Sequence, residues 1–381
     1  GMHAKQDNPE LERARMLGLK IYSFPEYIYQ QSRNKKRIAI GGSHGKTSTT
    51  AMIMHVLKEL ASDFDYLVGA KLIGFENSVK ITDAPLIVCE ADEYPASVIE
   101  KRPKFHFLFP HIAVLTGIAW DHINVFPTFD FYLEQFSIFI NKIESGGVLI
   151  YNESDEVLNQ LIQKNMRNDL RYHPYKLPTF FIENGISSIM IGEYKAKLKV
   201  FGNHNLLNIT AAYYVCKELQ ITDGDFASAI GTFSGASKRL EVLAASKESS
   251  VYRDFAHAPS KVKASTDALS QQFPGKTLIA VLELHTYSSL NAEFLHQYDG
   301  TLDNADHVIV FYSNHALELK QMPTLKDETI IKCFGRSDLL VINKKAILEK
   351  TLKKYSRENA NFLFMSSGDY EGMNILQTLS L

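Results

Sequence analysis

The sequence predicts an α/β fold of two doubly wound domains in tandem. Short, continuously apolar runs recur along the chain, helix-like stretches separate them, and the alternation restarts at about Arg239. With 381 residues the chain exceeds one small module, and a prior of about 150 residues per domain gives roughly two and a half domains.

The opening, GMHAKQDNPELERARMLGLKIYSFPEYIYQ, has a turn at Asp7-Asn8-Pro9, a helical pattern through Leu11, Ala14 and Leu17, a Gly18 stop and a strand-like LKIYSF. No partner strands lie nearby, so residues 1–34 read as the tail of a domain whose beginning is absent. From Arg37 the runs RIAI, PLIVCE, HIAVLTGI and GGVLIY predict parallel strands buried on both faces. TAMIMHVLKELA and FYLEQFSIFINKI supply helices between them. Residues 178–201 alternate around NG and GE turns and predict antiparallel hairpins on one edge of the sheet. After a GASK hinge at 235–238, VYRDFA, TLIAVLEL, DHVIVFY and NFLFMSS predict the strands of a second sheet. The expected domains are therefore 35–233 and 234–381, with 1–34 as a remnant.

Composition excludes several classes of function. Lysine and arginine total 41 against 43 acidic residues, a net charge of −2, so a strongly basic nucleic-acid binder is excluded and a polyanion must be met by a local site. Cys89, Cys216 and Cys333 are odd in number, far apart and without a CxxC pair, which argues against a disulfide framework or a structural zinc. A reducing cytoplasm is the expected compartment. No apolar run reaches the eighteen or so residues of a membrane span, since Pro110 and His111 interrupt the longest candidate.

The strongest local pattern is KRIAIGGSHGKTSTTAMIMHVL, a strand that runs through a glycine loop into a helix. Glycines let backbone N–H groups turn toward phosphate oxygens, and the helix N-terminus adds partial positive charge. Gly42, Ser43, His44, Gly45, Lys46, Thr47 and Ser48 form the candidate phosphate-binding set; Lys46 is long enough to reach the β- and γ-phosphates, and Thr47 offers a hydroxyl to a nucleotide-bound Mg²⁺. A strict Walker A loop has glycine where Ile40 stands, so the loop is a shortened variant. Glu90, Asp92 and Glu93 follow the strand PLIVCE, and Asp121 and His122 follow HIAVLTGI. In open α/β sheets ligands sit outside the carboxyl ends of strands, so these groups are expected to converge on the loop. Glu90 is the expected metal ligand, and His122 is a candidate for a second metal. Taken alone, each also reads as a loop cap or a surface charge.

These residues, in this order, resemble the Mur ligase family of ATP-dependent enzymes that add amino acids or peptides to UDP-N-acetylmuramic acid. That family's loop is the short form GTxGKT, its EADE segment matches Glu90 to Glu93, and its metal histidine falls on His122. Its adenine-binding GxHNxxN motif matches Gly202 to Asn208, which implies nucleotide contacts from His204, Asn205 and Asn208. KRLE implies Arg239 as a contact from the hinge, and DFAHAP implies Asp254 at the ribose and His257 beside the phosphates. Without the resemblance, GNHNLLN reads as an Asn-rich helix start and DFAHAP as a strand end before a proline-led helix.

The resemblance implies a central P-loop ATPase domain followed by a Rossmann-like α/β domain. It implies ATP and Mg²⁺ as cofactors, with Thr47, Glu90 and His122 as metal ligands and Lys46, Glu90 and His122 as catalytic residues. The implied substrates are UDP-N-acetylmuramate and L-alanine or a murein tripeptide, for peptidoglycan synthesis or recycling. A cytoplasmic monomer or weak homodimer, without nucleic acid or membrane, is implied as well. The opening DNPEL and the EADE form are similar to the alanine-adding and tripeptide-recycling branches, whose first domain binds UDP. Phe136 stands where other branches carry a carbamylated lysine. ELHTYS at 283–288 replaces the arginine-rich HRYTR of the alanine branch, and MSSGDYEG is similar to a segment of the tripeptide ligase. Folylpolyglutamate synthase and a P-loop switch protein without ligase activity are the competing readings; DNPEL and EADE oppose the first, and motifs for ATP contacts from several segments oppose the second.

Overall fold

The computed structural model describes residues 5, 7–120, 125–246, 249–355 and 359–380. The chain forms two compact units. One comprises Gly1–Phe181, Ser188–Lys199 and Asn205–Ser234, and the other Ile182–Ser187, Val200–His204 and Gly235–Leu381.

In the first unit, helices α1 (Pro9–Met16) and α2 (Phe24–Ser32) precede a seven-stranded sheet. Its strands are β1 (Lys36–Gly41), β2 (Asp65–Leu67), β3 (Val79–Lys80), β4 (Leu86–Glu90), β5 (Ile112–Leu115), β6 (Val148–Asn152) and β7 (Arg171–Tyr175). They lie in the order β3-β2-β4-β1-β5-β6-β7, parallel except for the β2–β3 pair. The central strands carry Ile38, Ile40, Val88, Ala113, Val114 and Leu149, all fully buried, which is why their sequences are continuous rather than alternating. Helices α3 (Lys46–Glu59), α4 (Phe129–Asn141) and α5 (Glu156–Lys164) connect the strands.

The strand expected at LKIYSF does not form. Residues 19–23 pair with no strand, their apolar side chains are largely exposed, and α2 begins at Phe24. The signal for that helix is local: the Glu26 carboxylate accepts from the N–H and the hydroxyl of Ser23, 2.7 Å each, at the helix start. The hairpins expected on a sheet edge instead make their own three-stranded sheet, β10-β9-β8, from β8 (Phe180–Glu183), β9 (Ile186–Ile191) and β10 (Tyr194–Lys197). The β8–β9 turn is Asn184-Gly185 with φ of 53° and 73°, as a two-residue hairpin requires. Helices α6 (Asn203–Glu218) and α7 (Asp223–Ile230) follow.

Buried Asp65 fixes the start of β2. It accepts from Lys35 Nζ at 2.5 Å, from Thr82 N and from Thr82 Oγ1. Burial alone would raise its pKa, but the bonds from Lys35 and Thr82 outweigh it and hold the carboxyl below its ordinary value. A depressed folded-state pKa stabilises above the unfolded carboxylate range and is lost as pH falls through the folded value. Asp65→Asn is therefore expected to cost about 2 kcal/mol at neutral pH. In urea unfolding the gap from wild type should narrow markedly at pH 3 and below.

The second unit has strands β11 (Glu241–Ala245), β12 (Ser250–Asp254), β13 (Thr277–Leu284), β14 (His307–Tyr312), β15 (Leu340–Ile342) and β16 (Ala360–Met365). Their order is β11-β12-β16-β13-β14-β15, and only β11 is antiparallel to its neighbour. The four strands anticipated from sequence are β12, β13, β14 and β16. Helix α8 (Pro259–Gln272) joins β12 to β13, and α9 (Asn314–Leu319), α10 (Asp327–Phe334), α11 (Lys345–Tyr355) and α12 (Ile375–Leu379) complete the unit. Because β16 inserts between β12 and β13, the carboxyl ends of these strands border a topological switch point. Among the described residues no helix is long and apolar enough to cross a membrane.

Candidate functional site

In the first unit, β1 ends at Gly41 and α3 starts at Lys46. The four residues between them must reverse direction in a small space. Gly42 (φ 125°) and Gly45 (φ 81°) supply backbone conformations that side chains resist. A Cβ on Gly45 would also collide with the Asn208 side chain, so Asn208, on α6, packs against the loop. The loop is tied to the end of β5: Thr116 N donates to Gly41 O at 3.1 Å, Ser43 N donates to Gly117 O at 2.9 Å, and the Thr116 hydroxyl lies against the carbonyls of Gly41 and His44.

Parallel register sets Ile40 beside Glu90, so the end of β4 stands level with the loop. There Thr47 Oγ1 donates to Glu90 Oε1 at 2.7 Å, and Glu90 Oε2 accepts from Gly69 N at 2.7 Å. Lys46 Nζ meets Glu93 Oε2 and Gly42 O, each at 2.6 Å. Burial alone would lower the Lys46 pKa, but the carboxylates of Glu93, Asp92 and Glu90 more than offset it, and the ammonium is held above its ordinary value. Asp92 pairs with Lys104 at 2.6 Å. Ser43, Thr47 and Ser48 are buried, so the loop presents a narrow, charged cradle at a helix N-terminus.

The structure thus gathers Gly42 to Ser48, Glu90 and Asn208 in one place. His122 and Asp121 lie outside the described residues. Glu93 converges on the loop as its place after β4 predicts, whereas the sequence carries no signal for Thr116 or Tyr132; Tyr132 reads as one more apolar residue of α4.

In the second unit, Asp254 ends β12, is buried and accepts from Ser265 Oγ. Burial holds the His204 imidazole below its ordinary pKa, against the charge of Asp254, and its Nδ1 meets no hydrogen-bond partner among the described residues. His257 Nδ1 lies 2.8 Å from Phe255 O, and the Arg239 guanidinium lies over the Phe255 ring at 4.7 Å. Asn205, which belongs to the first unit, is buried near the start of α6.

The carboxyl end of β13 carries buried Glu283, which accepts from Ser366 Oγ and from Tyr370 N at 3.0 Å; His285 Nδ1 lies 3.7 Å from it. The loop over it holds Tyr370 and Glu371 at φ of 54° and 56°, a conformation that costs side-chain-bearing residues energy and is found at functional sites. Among the described residues no three His, Cys, Asp or Glu side chains group as a metal site.

A strand, a glycine loop and a helix that opens with Lys46 and Thr47, at the carboxyl edge of a parallel sheet, define a P-loop protein. Comparison with known proteins narrows the class. The Mur ligase middle domain matches residues 40–216, and the Mur ligase glutamate ligase domain matches 238–368. UDP-N-acetylmuramate–L-alanine ligase of Caldicellulosiruptor bescii is 32% identical over 317 residues, 80% of this chain and 68% of that protein. The corresponding ligase of Aquifex aeolicus is 30% identical over 295 residues, 74% of this chain. This chain covers 63% of the Aquifex protein's length. The crystal structure of UDP-N-acetylmuramate-alanine ligase from Thermotoga maritima superposes with a TM-score of 0.72, at 22% identity, over 99% of this chain and 82% of its own, which speaks to the fold. The chain belongs to the Mur ligase family.

Proposed function

We propose that this chain carries the ATP-binding and acceptor-binding parts of an ATP-dependent ligase that joins an amine to the carboxylate of UDP-N-acetylmuramate. The observation that carries the reading is the cradle of Gly42 to Ser48 with Lys46 and the Thr47–Glu90 pair at its mouth. A carboxylate is a poor electrophile at neutral pH. Transfer of the γ-phosphoryl group to a carboxylate oxygen, with ADP leaving, makes an acyl phosphate. The amine nitrogen then bonds to the acyl carbon, the carbon–oxygen bond to phosphate breaks, and the nitrogen gives up a proton.

Lys46 and the loop N–H groups hold the phosphates in line and offset charge as it develops. Mg²⁺ fits the oxygen donors present: Thr47 Oγ1 and Glu90 Oε1, 2.7 Å apart, would hold it beside the phosphates, with His122 assigned to a second ion from sequence. When bound it neutralises charge on the transferred phosphoryl group. Asn208 supports the loop, and His204, Asn205, Arg239, Asp254 and His257 are assigned to the nucleoside and phosphates. The chain is read as cytoplasmic and as a monomer or weak homodimer.

One feature favours a peptide acceptor over free L-alanine. A free amino acid brings an α-carboxylate close to its amine, and a pocket for it needs a cation. Here the arginine-rich segment is replaced, and buried Glu283 with His285 lines the end of β13. An anionic floor suits an amine whose neighbouring carboxyl is already an amide, as in L-Ala-D-Glu-meso-diaminopimelate. The test is phosphate release by the full-length protein with ATP, UDP-N-acetylmuramate and either acceptor. Release is expected to depend on the sugar nucleotide and to be faster with the tripeptide. A preference for L-alanine removes the acceptor assignment, and release with folate and glutamate alone removes the UDP-N-acetylmuramate assignment.

A further inference from the structure

A chain of hydrogen bonds in the first unit links the phosphate loop to a residue with no assigned role. Ala119 N–H donates to Ser43 Oγ at 2.9 Å, which leaves the Ser43 hydroxyl hydrogen for the Tyr132 oxygen at 2.8 Å. Tyr132 O–H donates to Glu93 Oε1 at 3.3 Å, and Glu93 Oε2 holds Lys46 Nζ at 2.6 Å. A carboxylate only accepts, so Glu93 takes the one Tyr132 hydroxyl hydrogen and Ser43 must donate to the Tyr132 oxygen. Ser43, Glu93 and Tyr132 are 4%, 1% and 0% exposed, so none of them exchanges its partners freely for water. The Tyr132 ring packs against those of Phe126 and Phe136, each with its centroid 5.1 Å away, and this buried packing holds the ring in place.

In this arrangement Lys46 is already occupied by an anion that the protein itself provides. A nucleotide whose phosphates draw Lys46 off Glu93 takes a cation away from a buried carboxylate. Such a group is costly unless hydrogen bonds compensate it. Tyr132 is placed to keep one donor on Glu93 throughout. We infer that Tyr132 is a positioning residue of the nucleotide site: Glu93 stands in for phosphate on Lys46, and the Tyr132 hydroxyl stabilises Glu93 when phosphate replaces it. Helix α4 thus serves the site through position 132, one turn before the buried Phe136. The inference rests on the nucleotide reading above.

Two substitutions move nucleotide affinity in opposite directions. Tyr132→Phe keeps the ring packing and removes one bond to a buried charge, so calorimetric titration of this chain with ATP should give a Kd about tenfold weaker. Glu93→Gln removes the competing charge and should tighten ATP by about threefold or more. The titrations are run with Mg²⁺ and again in EDTA, so that any metal contact of Glu93 is separated from its hold on Lys46. In the full-length ligase, Tyr132→Phe should raise KM for ATP by the same factor while kcat holds, a split that a general loss of structure does not give. Wild-type affinity in Tyr132→Phe, or weaker binding in Glu93→Gln in EDTA, overturns the inference. A wild-type chain that binds ATP under neither condition overturns the nucleotide reading instead.

Discussion

Lys46→Ala is expected to abolish measurable ATP binding and to lower turnover of the full-length ligase by at least about a hundredfold. The lysine's contacts to Gly42 O and Glu93 fix its ammonium at the mouth of the cradle. The same geometry predicts a stability cost. Removing one partner of a buried pair takes the nearest cation from the other, so Lys46→Ala should also lose about 3 kcal/mol in urea unfolding. Adding Glu93→Gln neutralises the stranded carboxylate and should restore most of that stability without restoring ATP binding. A double variant that regained both would show that Lys46 acts only as Glu93's counter-ion and not on phosphate. A single variant with near-normal turnover would remove Lys46 from the chemistry.

How far such a site can be read from sequence depends on which residues act locally. β1, β4, β5 and β6 are legible because burial on both faces makes them continuously apolar. β2, β3 and β15 are only two or three residues long, and β7 sits at the sheet edge with Arg171, His173 and Pro174 interrupting it, so none carries that signature. LKIYSF has strand composition, yet without a neighbour its backbone has nothing to pair with. The loop itself is legible because its glycines answer a local demand, a turn with positive φ before a helix. Glu90 is legible because it ends an apolar run. Tyr132 is not, since its role is set by contacts to Ser43 and Glu93, 89 and 39 residues away in the chain, while α4 gives it the look of core.

Gly42→Ala tests whether the loop's shape, apart from its charges, makes the site. With φ at 125°, any side chain at this position is strained. A Cβ there would also strike the Thr116 hydroxyl and come within 3.0 Å of Thr116 N and 3.1 Å of Gly117 O. Backbone atoms at the end of β5 cannot turn away as a flexible side chain can, so the loop itself must shift. Gly275 provides the comparison, since its φ is 80° but a Cβ there meets nothing within 4 Å. Gly275→Ala should therefore cost about 1 kcal/mol from conformation alone. Gly42→Ala should cost about 3 kcal/mol, strain and collision together. It should also weaken ATP by more than about a hundredfold, because a shifted loop no longer aims its N–H groups at phosphate. Calorimetry and urea unfolding on the two variants separate these effects. If Gly42→Ala bound ATP as well as Gly275→Ala does, phosphate recognition would rest on Lys46 alone and not on the backbone cradle.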